Sequence, residues 1–205
     1  MKSGSSELRM KVAREAASLL YFGIEKEYKQ AKLKAARTLG VKFLPTNLEI
    51  ASELDKIADE IEGKSRQERL IQRRKEALKL MKTLKTYEPL LVGSVWRGTA
   101  HRQSDIDIIV YHDEPKAIAK TLEKSNFKIL KTEWVDITEQ GRKVTSFHIH
   151  CESSSGEKFE VIVRSPEEAY HKVKCDVYGD EITGLSLLEL EKLLKENPTQ
   201  RFVPL

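Results

Sequence analysis

Two aspartates separated by a single residue, Asp105 and Asp107, open an otherwise apolar run, Asp105-Ile-Asp-Ile-Ile-Val110. In an extended strand successive side chains alternate between faces, so both carboxylates emerge on one side while Ile106, Ile108 and Val110 turn to the other. Two like charges held together destabilise each other unless a cation lies between them. A divalent ion with hard oxygen ligands and positions left open for phosphate meets that demand, which points to Mg²⁺. Upstream, Pro89-Leu-Leu-Val92 reads as a short buried strand that stops at Gly93-Ser94. Glycine lets a phosphate approach the backbone, and a serine hydroxyl with the amides of a following helical turn can donate to it. Each half alone is a weak signal, because Asp-x-Asp arises by chance on solvated strands and Gly-Ser marks ordinary turns. Together they describe a metal-assisted nucleotide site.

The stretch Leu91-Val-Gly-Ser-Val-Trp-Arg-Gly-Thr-Ala-His-Arg-Gln-Ser-Asp-Ile-Asp-Ile-Ile-Val110 resembles the signature of the DNA polymerase β nucleotidyltransferase superfamily. It is most similar to the minimal nucleotidyltransferases and the archaeal CCA-adding enzymes, through Gly93-Ser94-Val-Trp-Arg97-Gly98-Thr99 and Ser104-Asp105-Ile-Asp107. The resemblance implies transfer of a nucleoside monophosphate from an NTP, with ATP the expected donor, to an acceptor hydroxyl. It also implies two Mg²⁺ ions, with Mn²⁺ as a substitute, held by Asp105, Asp107 and a third carboxylate on a later strand. Glu160, in Lys158-Phe-Glu-Val-Ile-Val163, is the choice for that third acid, since a lone acid in an apolar strand needs a reason to exist. A sheet-edge acid facing water is its bland alternative, and the family often has Asp here. Asp136 competes for the role, but Asp136-Ile-Thr-Glu139 reads as a turn. Gly93, Ser94, Arg97, Thr99 and Ser104 are the implied nucleotide-binding residues, with Arg97 neutralising the leaving pyrophosphate.

Other residues invite a plainer reading. His148 and His150 alternate on one strand, which is more often the polar face of a hairpin. A four-residue loop after that strand would set Glu160 opposite Ile149, so the two histidines are left outside the site. Trp96 and Trp134 could stack on a base, although core packing is the default.

The elements that must position these residues follow from periodicity. Glu7 to Leu39 is rich in Ala, Leu, Lys and Glu, lacks proline and predicts one helix ended by Gly40, with Ala16, Leu19, Leu20, Phe22 and Ile24 toward the core. Thr46 or Asn47 caps a second helix with Glu49 in its first turn, and Leu48, Ala51, Leu54, Ile57, Ala58 and Ile61 recur at helical spacing up to Gly63. A third, about Ser65 to Thr86, stripes Leu70, Ala77, Leu80, Met81 and Leu84. Beyond it come strands at 89–92 and 105–111, a helix at 114–124, and strands at 127–133, 143–152 and 158–164. The last two strands form a hairpin about Ser153-Ser-Ser-Gly156. Helices at Ser165–Tyr170 and Leu185–Lys195 and a tail to Leu205 complete the chain. The expected class is α+β: a helical region at 1–64, then a nucleotidyltransferase domain at 65–174 built on a small mixed, mostly antiparallel sheet with helices on one face. A C-terminal helix and tail fill 175–205.

Composition narrows the classes. The chain has 205 residues, 40% of them hydrophobic and 33% charged, which suits a packed globule rather than a disordered segment. No apolar run is long enough to cross a bilayer, and Met1 to Met10 lacks the apolar stretch of a secretory signal, so a cytoplasmic location and no membrane partner are expected. Cys151 and Cys175 have no metal-ligand spacing and read as reduced packing residues. The net charge is +4, but Met1 to Pro45 alone holds ten basic residues against four acids, and Lys64 to Lys85 holds a second basic run. Such helices suit an RNA backbone, which makes a tRNA-like RNA end the preferred acceptor; a solvated helix face is the bland reading. Nucleotidylation of a protein or small molecule, as by toxin-paired minimal nucleotidyltransferases, and a non-catalytic nucleotide- or RNA-binding module are the alternatives. A partner protein is compatible with each.

Overall fold

The computed structural model describes residues 2–139 and 141–204; Leu205, the end of the expected tail, lies outside them. The first four elements are helices, α1 (Lys2–Tyr21), α2 (Tyr28–Thr38), α3 (Asn47–Glu62) and α4 (Lys64–Thr83). The sequence predicts one helix across α1 and α2, and the structure corrects this. Gly23 takes a left-handed φ of +69°, and the Gly23 and Ile24 amides fold back to the Leu20 and Leu19 carbonyls, ending α1. The turn leaves Phe22 and Ile24, expected in the core, 50% and 57% exposed. Leu48 and Ile61 of α3 are also exposed. The Thr46–Glu49 capping box forms as the sequence suggested, with each side chain accepting from the other's backbone amide. Val12, Ala13, Ala16, Ala17, Ile50, Ile57 and Ala58 close a first core between α1, α2 and α3.

The second half is α/β. Strand β1 (Leu90–Val92) runs into a short helix α5 (Gly93–Arg97), followed by β2 (Ile106–Tyr111), α6 (Pro115–Lys124), β3 (Lys128–Glu139), β4 (Arg142–Glu152) and β5 (Lys158–Arg164). Residues Pro166–Tyr170 form a 3₁₀ turn rather than the expected helix, and the chain ends with β6 (Leu185–Ser186) and α7 (Leu187–Glu196). Asp136 to Glu139, read as a turn, instead extend β3, where Asp136 sits opposite Thr145. Among the described residues the sheet has six strands in the order β3-β4-β5-β2-β1-β6, with only the β2–β5 pairing parallel. The fold is therefore α+β with a mixed, mostly antiparallel sheet, as expected.

One sheet face is dry. Leu91, Ile106, Ile108, Val110, Phe159, Val161 and Val163 meet Leu80 and Met81 of α4, Ile118 and Leu122 of α6, and Leu190 and Leu193 of α7 in a second core. Each buried aliphatic side chain there contributes roughly 1.5–3 kcal/mol. The segment 175–205 thus adds both a strand and a helix to this core. The opposite face carries Asp107, Ile109, Glu160 and Ile162, because residues paired across neighbouring strands share a side. Among the described residues no helix is long and apolar enough to cross a membrane.

Candidate active site

Strand pairing delivers the glycine turn to the aspartates. β1 runs antiparallel to β2 with Val92 opposite Asp107, so the next residue, Gly93, lands against that carboxylate. A Cβ placed on Gly93 would lie 1.9 Å from Asp107 Oδ2 and 2.8 Å from its Cγ. Gly93 also has a φ of +69°, which side chains rarely tolerate, so two independent constraints demand glycine here. Ser94 follows in α5 and lines the same space as Asp107.

Asp105 immediately precedes β2, and Asp107 lies within it. Burial pushes the Asp107 carboxyl up to about 8, with the neighbouring Glu160 and Asp105 charges adding to the effect. Among the described residues neither aspartate has a hydrogen-bonding or ionic partner. Asp105 is exposed, but a carboxylate as enclosed as Asp107 is ordinarily paired. An unmatched pair of oxygen donors, one of them driven toward its protonated form mainly by burial, fits a divalent cation. Among the described residues, however, no three His, Cys, Asp or Glu side chains converge in an arrangement that could hold a metal. The two aspartates fit the ion; a closed three-carboxylate cage is not formed.

Glu160, expected as the third ligand, sits beside Asp107 in register on β5. One of its oxygens is bonded to His148 Nδ1 at 2.6 Å, and His150 Nε2 lies 3.8 Å away. His148 holds the Glu160 carboxyl below its ordinary range against the opposing effect of burial. His148 Nε2 in turn meets the Ser146 hydroxyl at 2.8 Å. The expected register is corrected: the β4–β5 connection takes five residues, Ser153 to Glu157, and sets His150, not Ile149, opposite Glu160. A one-residue change of loop length exchanges the faces of a strand.

Arg97 departs furthest from its expected place. It is 4% exposed, and its guanidinium donates to Asp180 at 2.7 and 3.0 Å and to the Phe202 carbonyl at 2.8 Å. The Trp96 and Tyr178 rings flank it at 4.5 and 4.7 Å. It ties α5 to the C-terminal segment, and it also lines the smaller of two cavities beside Asp107. Trp96 is buried as core, whereas Trp134 is 64% exposed on the edge strand β3.

Three arginines of the α4 basic run turn inward, while Lys64, Lys75, Lys79 and Lys82 stay exposed. Arg66 donates to the Thr99 and Ala100 carbonyls and pairs with Asp55 and Asp59. Arg73 reaches the His101 and Arg102 carbonyls, and Arg74 those of Val95, Trp96, Pro198 and Gln200. Arg66 and Arg73 hold the segment between α5 and β2, and Arg74 ties α5 to the C-terminal tail. They satisfy carbonyls that have no partner in a helix or sheet. Within that segment the Thr99 amide donates to the Ser94 carbonyl, and the Ser104 hydroxyl accepts from the His101 amide, turning the chain toward Asp105.

Two cavities open along this arrangement. One of about 570 Å³ is lined by Ser94, Thr99, Ser104, Asp105 and Asp107 and, across from them, by Lys26, Tyr28, Leu54 and Tyr178. The other, about 420 Å³, shares Ser94, Thr99 and Asp107 and is walled mainly by apolar residues such as Ile109, Ile162 and Ile182. Lys26, Tyr28 and Leu54 come from the helical region and Tyr178 from the C-terminal segment. No local sequence pattern marked Lys26, Tyr28, Lys158 or Tyr178, and the glycine that breaks α1 at position 23 is the nearest signal.

Residues 74–174 match the model of a family described as a domain of unknown function, DUF4269. No curated protein matches the chain. Among solved structures, the chain is similar to a cytoplasmic RNA terminal U-transferase, at 20% identity and a TM-score of 0.35 over 57% of this chain and 34% of that one. It is similar to Cid1 in complex with the UTP analog UMPNPP at 18% identity and a TM-score of 0.36, over 58% and 37% of the two chains. A GLD-2/RNP-8 complex matches at 15% identity and a TM-score of 0.34, over 50% and 39%. The chain therefore spans well under half the length of each of these.

Proposed function

We propose that the protein transfers a nucleoside monophosphate from an NTP to an acceptor hydroxyl. The observation that carries this is the contact of the Gly93 backbone with Asp107, which puts an unmatched aspartate pair directly beside a glycine-serine turn. In this reading Asp105 and Asp107 hold Mg²⁺, and Glu160 adds negative charge from the adjacent strand. When bound, the metal supplies positive charge to the attacking and leaving oxygens of an in-line displacement. Gly93 leaves room for the phosphates to approach the chain, and the Ser94 hydroxyl donates to them. Tyr28, Leu54 and Tyr178 also line the cavity and give it apolar surface beside the aspartates.

The acceptor is better drawn as a hydroxyl on a small molecule or a protein than on RNA. The support for RNA rested on the basic helices, and α4 buries Arg66, Arg73 and Arg74 against carbonyls, leaving mainly its lysines to track phosphates. The test is incubation of the protein with each labelled NTP, Mg²⁺, and separate RNA, protein and small-molecule fractions of a cell extract. Label should enter one fraction with the wild type and none with Asp107→Ala. Equal labelling by that variant, once it is shown to be folded, would remove the aspartates from the chemistry.

A further inference from the structure

Arg97 and the α4 arginines near the site already have protein partners for their guanidinium groups. Around the cavity that holds Asp105, Asp107, Ser94 and Ser104, the basic side chains among the described residues are Lys26, Lys158 and His101. Burial lowers His101 to about 4, so it carries no charge at neutral pH. Lys26 lies in the turn between α1 and α2, and Lys158 opens β5. Neither ammonium has a hydrogen bond or ion pair among the described residues. The other acids of that lining are already matched, Glu25 by Lys34 and Asp55 by Arg66 and Arg201. Once a divalent cation neutralises Asp105 and Asp107, the cavity keeps a surplus of positive charge that an anion of several charges would balance.

Resting on the reading that this site handles an NTP, we propose that Lys26 and Lys158 clamp the polyphosphate tail from opposite walls. The N-terminal helices, which lie outside the segment matched by the family model, then supply part of the substrate site. The turn that carries Lys26 is held in place for this. The Tyr21 ring lies 5.6 Å from that of His101, and the Arg102 guanidinium covers the Tyr21 and Phe22 rings at 4.8 and 5.5 Å. The end of α1 is thereby docked on the loop that leads into Asp105. A lysine, as a mobile point charge, can follow a flexible phosphate chain where a planar guanidinium would fix one geometry.

Titration calorimetry of the full chain with inorganic tripolyphosphate, ATP and AMP in excess Mg²⁺ tests this. Lys26→Met and Lys158→Met should each weaken tripolyphosphate and ATP about tenfold and change AMP far less, the size expected for losing one charge-assisted contact. Both side chains are exposed, so thermal midpoints should not move. Lys29→Met removes the same charge from an exposed position on α2 that does not line the cavity, and should leave all three affinities unchanged. If both lysine variants bind tripolyphosphate as the wild type does while ATP still binds, the clamp is wrong and the NTP reading stands. If Lys29→Met weakens binding equally, a diffuse field is responsible and the clamp is again overturned. Failure of the wild type to bind ATP or tripolyphosphate overturns the NTP reading and the clamp with it.

Discussion

Alanine at position 93 separates two effects that one glycine combines. The first is backbone strain: an L-residue held at a φ of +69° costs about 1–2 kcal/mol. The second is a collision, because the new Cβ would stand 1.9 Å from Asp107 Oδ2, whereas ordinary van der Waals contact begins at 3.4 Å. The carboxylate must therefore retreat by about 1.5 Å, and a misplacement of about 1 Å at a reacting centre can cost on the order of 10²-fold in rate. Gly40 provides the control. It has a similar φ of +65°, and a Cβ added there would meet nothing within 4 Å, so Gly40→Ala carries the strain without the collision. Urea unfolding should show Gly40→Ala destabilised by about 1–2 kcal/mol and Gly93→Ala by more, since it adds the collision to the strain. NTP turnover with Mg²⁺ should fall about 100-fold in Gly93→Ala and stay near wild type in Gly40→Ala. Equal turnover in the two variants would refute the claim that the Gly93–Asp107 contact sets the geometry of the site.

Three further outcomes follow from the same geometry. The folded protein keeps a proton on Asp107 up to a pKa of about 8, whereas the unfolded chain releases it near pH 4, so this group's contribution makes the metal-free protein less stable as pH rises between those values. Asp107→Asn should therefore be more stable than wild type in EDTA at pH 8, by on the order of 2–4 kcal/mol, with the gap closing toward pH 4; a gap that widens at low pH would contradict the assignment. Arg74→Met, which strips a buried donor from four carbonyls, should cost about 3–5 kcal/mol in urea unfolding, and a loss below about 1 kcal/mol would show that those carbonyls find other partners. Thr46→Ala removes the α3 capping box and should cost about 1 kcal/mol, so an unchanged unfolding midpoint would count against it.

The sequence alone determined those features that depend on neighbours along the chain. The period of two in Asp105-Ile-Asp107 fixed the two faces of β2, and Ile106, Ile108 and Val110 are buried where that alternation placed them. Leu70, Ala77, Leu80 and Met81 fell on the buried stripe of α4, and Thr46 with Glu49 began α3. The α+β class followed from the order of these patterns.

Only the tertiary structure decided where long side chains put their charged ends. Helical periodicity shows which face of α4 is apolar, but not that Arg66, Arg73 and Arg74 reach past it to carbonyls up to 126 residues away in the chain. Arg97 likewise found Asp180, 83 residues on, a partner that its motif position did not imply. The His148–Glu160 bond turned on one residue of loop length, and in a strand one residue reverses every side chain. The α1–α2 break turned on a glycine that a helix would tolerate for about 1 kcal/mol, less than the docking of Tyr21 and Phe22 beneath Arg102 can offset. Local pattern fixes which face a residue takes; its partner is set by contacts between segments distant in sequence, whose energies no single segment contains.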